Sequence, residues 1–360
     1  MSENLKSIEG SNYIVAFSEN GYDALKVLLE TKSYSSIFIL VDNHTKDFCL
    51  PYFIKHFEDL KKIPVIETPA NEINKHLDTC RDVWQKLSDM GADRKSLLIN
   101  LGGGVVSDLG GFVASTFKRG IDFVNIPTTL LSMVDASVGG KTGVDLGGLK
   151  NQIGVIVNPQ LVIIDSEFLK TLPKNEYKSG YSEMLKHGLI YDASYFRELS
   201  QFKSLEEGNI MPYIHRSVMI KNQVVNEDPY EINRRKILNF GHTLGHAIES
   251  YFLTDSNRTV LLHGEAIAVG MILEAYLATQ LCELSSSEAD EIKSVFLNLF
   301  PKVDFSKQDT QEILALLKYD KKNSHGKVKF VLLNKIGIPA IDIRIEDSYF
   351  DDAFNYYKKN

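Results

Sequence analysis

Four short apolar runs, each cut off by a turn or polar signal, constrain the first half of the chain. Ile37–Val41 stops at Asp42-Asn43, Ser96–Leu101 runs into three glycines, Ile121–Ile126 stops at Pro127, and Leu161–Ile164 ends at Asp165. Apolar runs of roughly four to six residues bounded in this way read as strands buried on both faces, as in a parallel sheet. Between them, residues 20–31 and 71–90 have helical spacing, with Gly91 placed to end the second helix. Such strand–helix alternation is the pattern of an α/β layer fold. After Leu172-Pro173 the pattern changes: helical spacing recurs over 175–190, 212–226, 235–251, 264–281 and 286–299, and only 327–333 reads as a small strand. The expectation is an α/β domain over 1–170 and an all-α domain over 171–360, with a site in a cleft between them. The aromatics of the last segment, beyond about residue 340, are expected to pack a terminal helix onto the core.

The 360 residues suit two domains at roughly 150 residues each. A net charge of −7 gives no electrostatic footprint for nucleic acid, so a local basic pocket for a small anion is the remaining use for cations. Three dispersed cysteines, Cys49, Cys80 and Cys282, offer neither a disulfide framework nor a zinc-ribbon spacing, which suits a reducing, cytoplasmic setting. The polar N-terminal segment has no signal-peptide core, and no apolar run approaches the about 20 residues of a membrane span.

The first motif is Leu101-Gly-Gly-Gly104-Val-Val-Ser-Asp108-Leu-Gly-Gly111. Glycines between a strand and a helix let the backbone approach a pyrophosphate at the helix N-terminus, although Ser107 departs from the G-x-G-x-x-G pattern. Thr128 and Thr129 follow the next strand and could bond a nucleotide or simply cap a helix. Lys141 and Lys150-Asn151 lie in glycine-rich surroundings that resemble a phosphate cradle but not a Walker A loop.

The richest set is helical. Glu183 and His187 are one turn apart, as are His242 and His246, and His263-Gly-Glu265 opens a further helix. Histidines plus a carboxylate make a catalytic zinc site when one coordination position stays open. Spacing alone leaves both His242/His246/His263 and Glu183/His242/His263 as ligand sets. Lys186, Lys221, Asn222, Arg234, Arg235 and Asn239 add a cationic and polar set; Lys186 and Asn239 each lie three residues from a candidate ligand and would approach it on a helix. A cationic, metal-bearing site suits a phosphorylated or carboxylated substrate.

At these residues the sequence resembles the 3-dehydroquinate synthase family. The runs GGGVVSDLGGF, PTTLLSMVDASVGGKTG, LKNQIG, LKTLP, SGYSEMLKHG, LNFGHTLGHAIE and LHGEAIAVGM occur in family order, within a resemblance covering about residues 35 to 335. It implies a Rossmann-like NAD-binding α/β domain followed by an all-α metal-binding domain. It also implies Glu183, His242 and His263 as ligands of zinc, or of cobalt in its place, with His246 an acid–base or phosphate-side residue. Gly103, Gly104, Val105, Asp108, Thr128, Thr129, Lys141 and Lys150 match NAD-binding positions. Asp42, Glu72 and Lys75 match contacts to its adenosine half, with Asn71 standing where the family has glycine. Lys141, Lys150, Asn151, Asn239 and His246 match substrate positions on or near the phosphate side, and Lys221 and Arg235 match the carboxylate-side cations. Asp135, Lys186 and Glu231 match further active-site positions, and Lys321, rather than Lys322, a substrate-contacting lysine. Arg119 matches an arginine that reaches a neighbouring subunit, which implies a homodimer.

The activity so implied is conversion of 3-deoxy-D-arabino-heptulosonate 7-phosphate to 3-dehydroquinate and phosphate, with NAD reduced and reoxidised in each cycle. Competing readings are a sister cyclase acting on sedoheptulose 7-phosphate or another sugar phosphate, an NAD- and metal-dependent polyol dehydrogenase, and a non-enzymatic NAD- or metabolite-sensing module. The retained Lys221, Arg235, Asn239 and His246 favour the carboxylated substrate.

Overall fold

A computed structural model describes residues 5–57, 62–147, 149–202, 209–254, 258–317 and 328–359. The chain forms two compact units, Met1–Pro173 with Ile210–Asn222, and Lys174–Asn209 with Gln223–Asn360. The return of 210–222 to the first unit leaves no signal in the sequence pattern, because a helix reads the same whichever core its face meets.

The first unit is built on a seven-stranded sheet. Its strands in chain order are β1 (Ile8–Glu9), β2 (Ile14–Phe17), β3 (Ile37–Asp42), β4 (Val65–Thr68), β5 (Leu97–Gly102) and β6 (Asp122–Pro127). A separate hairpin of β7 (Lys141–Leu146) and β8 (Leu149–Ile156) intervenes before β9 (Leu161–Ile164) completes the sheet. The spatial order is β1-β2-β9-β6-β5-β3-β4, parallel except for the β1–β2 pair. All six residues of β5 are buried, as a central strand covered on both faces requires. Chain direction across the sheet reverses at β3: β4 lies on one side of it and β5 on the other. The carboxyl ends of β3 and β5 therefore form the topological switch point where open α/β sheets place ligands. Asp42 ends β3, and the glycine run follows β5.

The helix after β5, Gly104–Thr116, packs unusually close, and its glycines explain how. A Cβ on Gly110 would lie 2.1 Å from Asn100 Oδ1, and one on Gly111 3.0 Å from Thr142 Cβ. The helical stretch expected over 71–90 begins later, at Leu77, because Glu72–Asn74 forms a 3-10 turn and His76 caps the helix by accepting from Thr79 N at 3.3 Å. It ends at a Schellman pair, Gly91 N to Ser88 O and Ala92 N to Leu87 O, with Gly91 at φ 79°.

The second unit is helical and carries one hairpin. Helix His263–Leu281 is apolar and buried on nearly every side, the signature of a central helix. Around it pack Lys174–Tyr191, His242–Thr254, Ser286–Leu299 and the terminal helix Ser348–Lys358, which buries Phe350, Phe354 and Tyr357. The strand expected over 327–333 occupies Phe330–Lys335 and pairs with Ile338–Ile343, so this part is not purely helical. The helix expected over 235–251 is broken: Arg234–Asn239 is a 3-10 turn, Gly241 sits at φ 78°, and the α-helix starts at His242. Among the described residues no helix is long and apolar enough to cross a membrane.

Candidate active site

The candidate residues fall into two groups, one in each unit. In the first unit the switch point carries the nucleotide-side group. Gly103 is the N-cap of helix Gly104–Thr116, whose first-turn N–H groups have no partner within the helix. A Cβ on Gly103 would lie 2.8 Å from Thr129 Cγ2, so a side chain here would displace Thr129. Val105 is half-buried in the first turn of that helix. Thr128 is buried, and its N–H donates to Gly102 O at 3.0 Å, while Thr129 Oγ1 accepts from Ser132 N at 3.2 Å. A glycine-lined helix start of this kind fits a pyrophosphate. Asp42 has a local duty as well: its Oδ1 accepts from Thr45 N at 2.7 Å in a capping box.

Beside this helix lies a charged cluster centred on Lys75, which is 3% exposed. Its Nζ is 2.9 Å from Glu72 Oε1, 3.3 Å from Asp108 Oδ2 and 2.8 Å from Asn151 Oδ1. Lys150 reaches Glu72 Oε1 at 3.5 Å. Burial alone would lower the Lys75 ammonium, but the Asp108, Glu72 and Asp145 carboxylates outweigh it and keep it charged. Burial pushes Asp108 up to about 6 against the opposing pull of Lys75. Asn71 is at φ 77°, a conformation that glycine adopts without strain. The segment holding Lys141, Lys150 and Asn151 is a β-hairpin. Lys141 is exposed at its start, and Asn151, at φ 50°, is held by Asp145 Oδ1 accepting from its N–H at 2.6 Å. Lys221 Nζ donates to Asp135 Oδ1 at 2.7 Å and also to the Asp135 carbonyl, and Asp135 lies in a π-helical turn, Ser132–Ala136. Arg119 is exposed at φ 71°.

In the second unit three helices bring the metal-ligating types together. Glu183 Oε1 lies 3.6 Å from His242 Nε2 and 3.6 Å from His263 Nε2, while its Oε2 is paired with Lys186. Donors about 2.1 Å from a tetrahedral zinc are about 3.4 Å from one another, so these separations fit such an ion. Both histidines have the other ring nitrogen engaged: His242 Nδ1 with Phe240 O at 3.1 Å, His263 Nδ1 with Glu249 Oε2 at 3.3 Å. Such contacts orient Nε2 for coordination. His246 also comes close, and the three histidines could present nitrogens within 4.8 Å of one another. The geometry thus admits both ligand sets; the two 3.6 Å separations from Glu183 Oε1 fit the set of Glu183, His242 and His263, and the engaged Nδ1 atoms are common to both. Burial opposes protonation of His263, yet Glu249 and Glu183 outweigh it and push the ion-free imidazole up to about 9.

Asn239 does not approach His242 along a shared helix, as its spacing suggested, because the break at Gly241 separates them. Its Nδ2 donates instead to Glu231 Oε1. Arg235 is buried, with its N–H on Asp228 Oδ2 at 3.1 Å and Nη1 on Pro229 O at 2.7 Å. Lys321 lies outside the described residues. Glu249 has a contact that sequence reasoning gave no role, although it stands seven residues after His242 on one helix, a spacing that returns to the same face.

Residues 65–179 match the 3-dehydroquinate synthase N-terminal family and residues 180–323 the 3-dehydroquinate synthase C-terminal family. The chain is 38% identical over 338 residues to the 3-dehydroquinate synthase of Parabacteroides distasonis, covering 93% of this chain and 95% of that protein. To the 3-dehydroquinate synthase of a Sulfurovum species it is 40% identical over 298 residues, covering 83% and 84%. Among solved structures, a 2-deoxy-scyllo-inosose synthase complexed with carbaglucose-6-phosphate, NAD+ and Co2+ superposes with a TM-score of 0.81 at 24% identity, over 96% of this chain and 98% of that one. The 2-epi-5-epi-valiolone synthase of Streptomyces hygroscopicus, with NAD+ and Zn2+ bound, gives 0.80 at 24% identity, over 98% of each chain. These two structures show a shared fold. The matched families and the identity over nearly the whole chain place it plainly: the chain belongs to the 3-dehydroquinate synthase family.

Proposed function

We propose that the chain is a 3-dehydroquinate synthase, converting 3-deoxy-D-arabino-heptulosonate 7-phosphate to 3-dehydroquinate and inorganic phosphate. The observation that carries this reading is the placement of Glu183 Oε1 at 3.6 Å from both His242 Nε2 and His263 Nε2, joined to 38% identity with a synthase over 93% of the chain. NAD and zinc, or cobalt, would supply transient hydride removal and polarisation of the carbinol and carbonyl oxygens.

The chain's own residues bind, orient and handle protons. Gly103, Gly104, Val105, Thr128 and Thr129 receive the pyrophosphate, and Asp42, Glu72, Lys75 and Asp108 the rest of the dinucleotide. Lys141, Lys150 and Asn151 hold the phosphate of the substrate. Lys221 and Arg235 hold its carboxylate, for which a guanidinium fork is suited. His246, Lys186, Glu231, Asp135 and Asn239 position the hydroxyls and move protons. Lys321 completes the substrate contacts. The enzyme works in the cytoplasm as a homodimer, with Arg119 reaching the neighbouring site.

The test is turnover with catalytic NAD. Metal-loaded protein given the heptulosonate phosphate is expected to release phosphate in many-fold excess over NAD with no accumulating absorbance of NADH. One NADH per turnover would make it a dehydrogenase. Phosphate released from sedoheptulose 7-phosphate and not from the heptulosonate would make it a sister cyclase.

A further inference from the structure

Both histidine-bearing helices begin on backbone N–H groups held by a side chain from another helix. Gly241, the residue before His242, donates to Glu274 Oε2 at 2.6 Å, and Leu244 donates to Glu274 Oε1 at 3.2 Å. Glu274 is fully buried on helix His263–Leu281, about three turns after His263. Gly264, the residue after His263, donates to Ser179 Oγ at 2.9 Å. Ser179 lies one turn before Glu183 on helix Lys174–Tyr191. The bonds therefore link the Glu183 helix to the His263 helix, and the His263 helix to the His242 helix. Backbone contact tightens both joints. A Cβ on Gly264 would lie 2.4 Å from the Ser179 backbone, and one on Gly270 would lie 2.0 Å from Gly241 O.

We infer that Glu274, with Ser179, is a positioning residue that holds the three donor-bearing helices at coordinating separation before any ion arrives. This rests on the metal-site reading above. A carboxylate suits the place because it offers two acceptors to two N–H groups at the positive end of a helix. A side chain that merely filled the space would leave both N–H groups buried without acceptors, and the turn at Gly241 that aims His242 would lose its anchor.

The test uses Glu274→Gln, which keeps size and one acceptor but sets an NH2 against one N–H donor, with Ser179→Ala as an independent second variant. Metal-stripped full-length protein is titrated with Co2+, following both affinity and the visible d–d spectrum. Co2+ affinity about 10-fold or more weaker in E274Q, with an altered band pattern and unchanged far-ultraviolet circular dichroism, is expected. Affinity and spectrum within twofold of the parent in both variants overturn the inference. If E274Q does not fold, S179A decides by the same readout: weakened affinity supports the linkage and parental affinity overturns it. Failure of the metal-site reading looks different, since the parent would then take up no Co2+, or His263→Ala would bind it as well as the parent.

Discussion

Replacing Lys75 with Met removes the cation from its buried cluster while preserving chain length and most of the volume. Lys75 Nζ is 3.3 Å from Asp108 Oδ2, a separation worth about 5 kcal/mol at an effective dielectric of about 20. Glu72 is closer, at 2.9 Å, but partly solvated, so its share is more heavily screened. Losing the ammonium also removes its desolvation cost, and the net loss at pH 8 is set at about 3 kcal/mol, the low end for breaking a buried pair. The loss depends on pH in a fixed direction. Asp108 is pushed up to about 6 in the folded protein from an ordinary value of 3.8, so the folded state binds the proton more tightly than the unfolded one. Stability from this group is therefore greatest at low pH, falls as pH rises from about 4 through 6, and is level above. Without Lys75 the folded value climbs further. Near pH 5 Asp108 is protonated in both proteins and the difference shrinks to about 1 kcal/mol; it opens as pH rises from about 6 through the higher K75M value and is nearly complete at about pH 8. Urea unfolding of parent and K75M, without added nucleotide, at pH 5 and pH 8 measures both gaps. Equal gaps at the two pH values, or a gap under about 0.5 kcal/mol at pH 8, would refute the account of Asp108 as held ionised by the buried Lys75 cation.

Three further outcomes are expected. Gly270→Ala would set a Cβ 2.0 Å from Gly241 O, and the forced helix displacement should lower the urea midpoint at unchanged m-value by the equivalent of about 3 kcal/mol. Glu249→Gln weakens the acceptor on His263 Nδ1, 3.3 Å away, and should reduce zinc affinity about 10-fold in chelator competition; parental affinity would leave Glu249 a packing role only. Arg235→Lys loses the planar fork and should raise KM for the heptulosonate phosphate about tenfold or more with zinc content unchanged, whereas parallel zinc loss would argue against a carboxylate role.

What the sequence revealed and what it hid have the same physical source. Strands β3, β5, β6 and β9 were legible because a strand covered on both faces is mostly apolar, even with Asn100 in β5 and Asn125 in β6, which bond to each other. The edge strand β4, Val-Ile-Glu-Thr, has no such run and was missed. The glycines around Lys141 and Lys150 give no strand signal, yet Gly143 and Gly154 face each other in the β7–β8 hairpin, and a Cβ on either would lie 2.4 Å from the opposing strand's backbone. The break before His242 was invisible because helical spacing continues through it, and the side chain that anchors the turn, Glu274, is 33 residues away. The candidate ligands were visible as residue types, but spacing within a helix cannot report distances between helices. Three helices had to be packed before Glu183 could be weighed against His246.

Backbone strain falls at some of the same residues. Among the described residues the non-glycine residues at positive φ are Ser18, Ser33, Asn71, Lys118, Arg119, Asn151, Glu231 and Asp342, of which Arg119, Asn151 and Glu231 are candidate site positions. Such a conformation costs an ordinary side chain about 1 to 2 kcal/mol, and glycine would remove the cost. The fold does use glycine at other such turns, among them Gly91, Gly241 and Gly337. Glu231 instead keeps a carboxylate that accepts from Asn239, and its backbone N–H is held by Asp228 O at 3.3 Å. Asn151 keeps an amide oxygen on Lys75 while Asp145 holds its N–H. In both, neighbouring groups hold the strained backbone and the side chain reaches another candidate residue. Retaining the strained residue is what a fold does when the direction of a functional side chain matters more than the stability it costs.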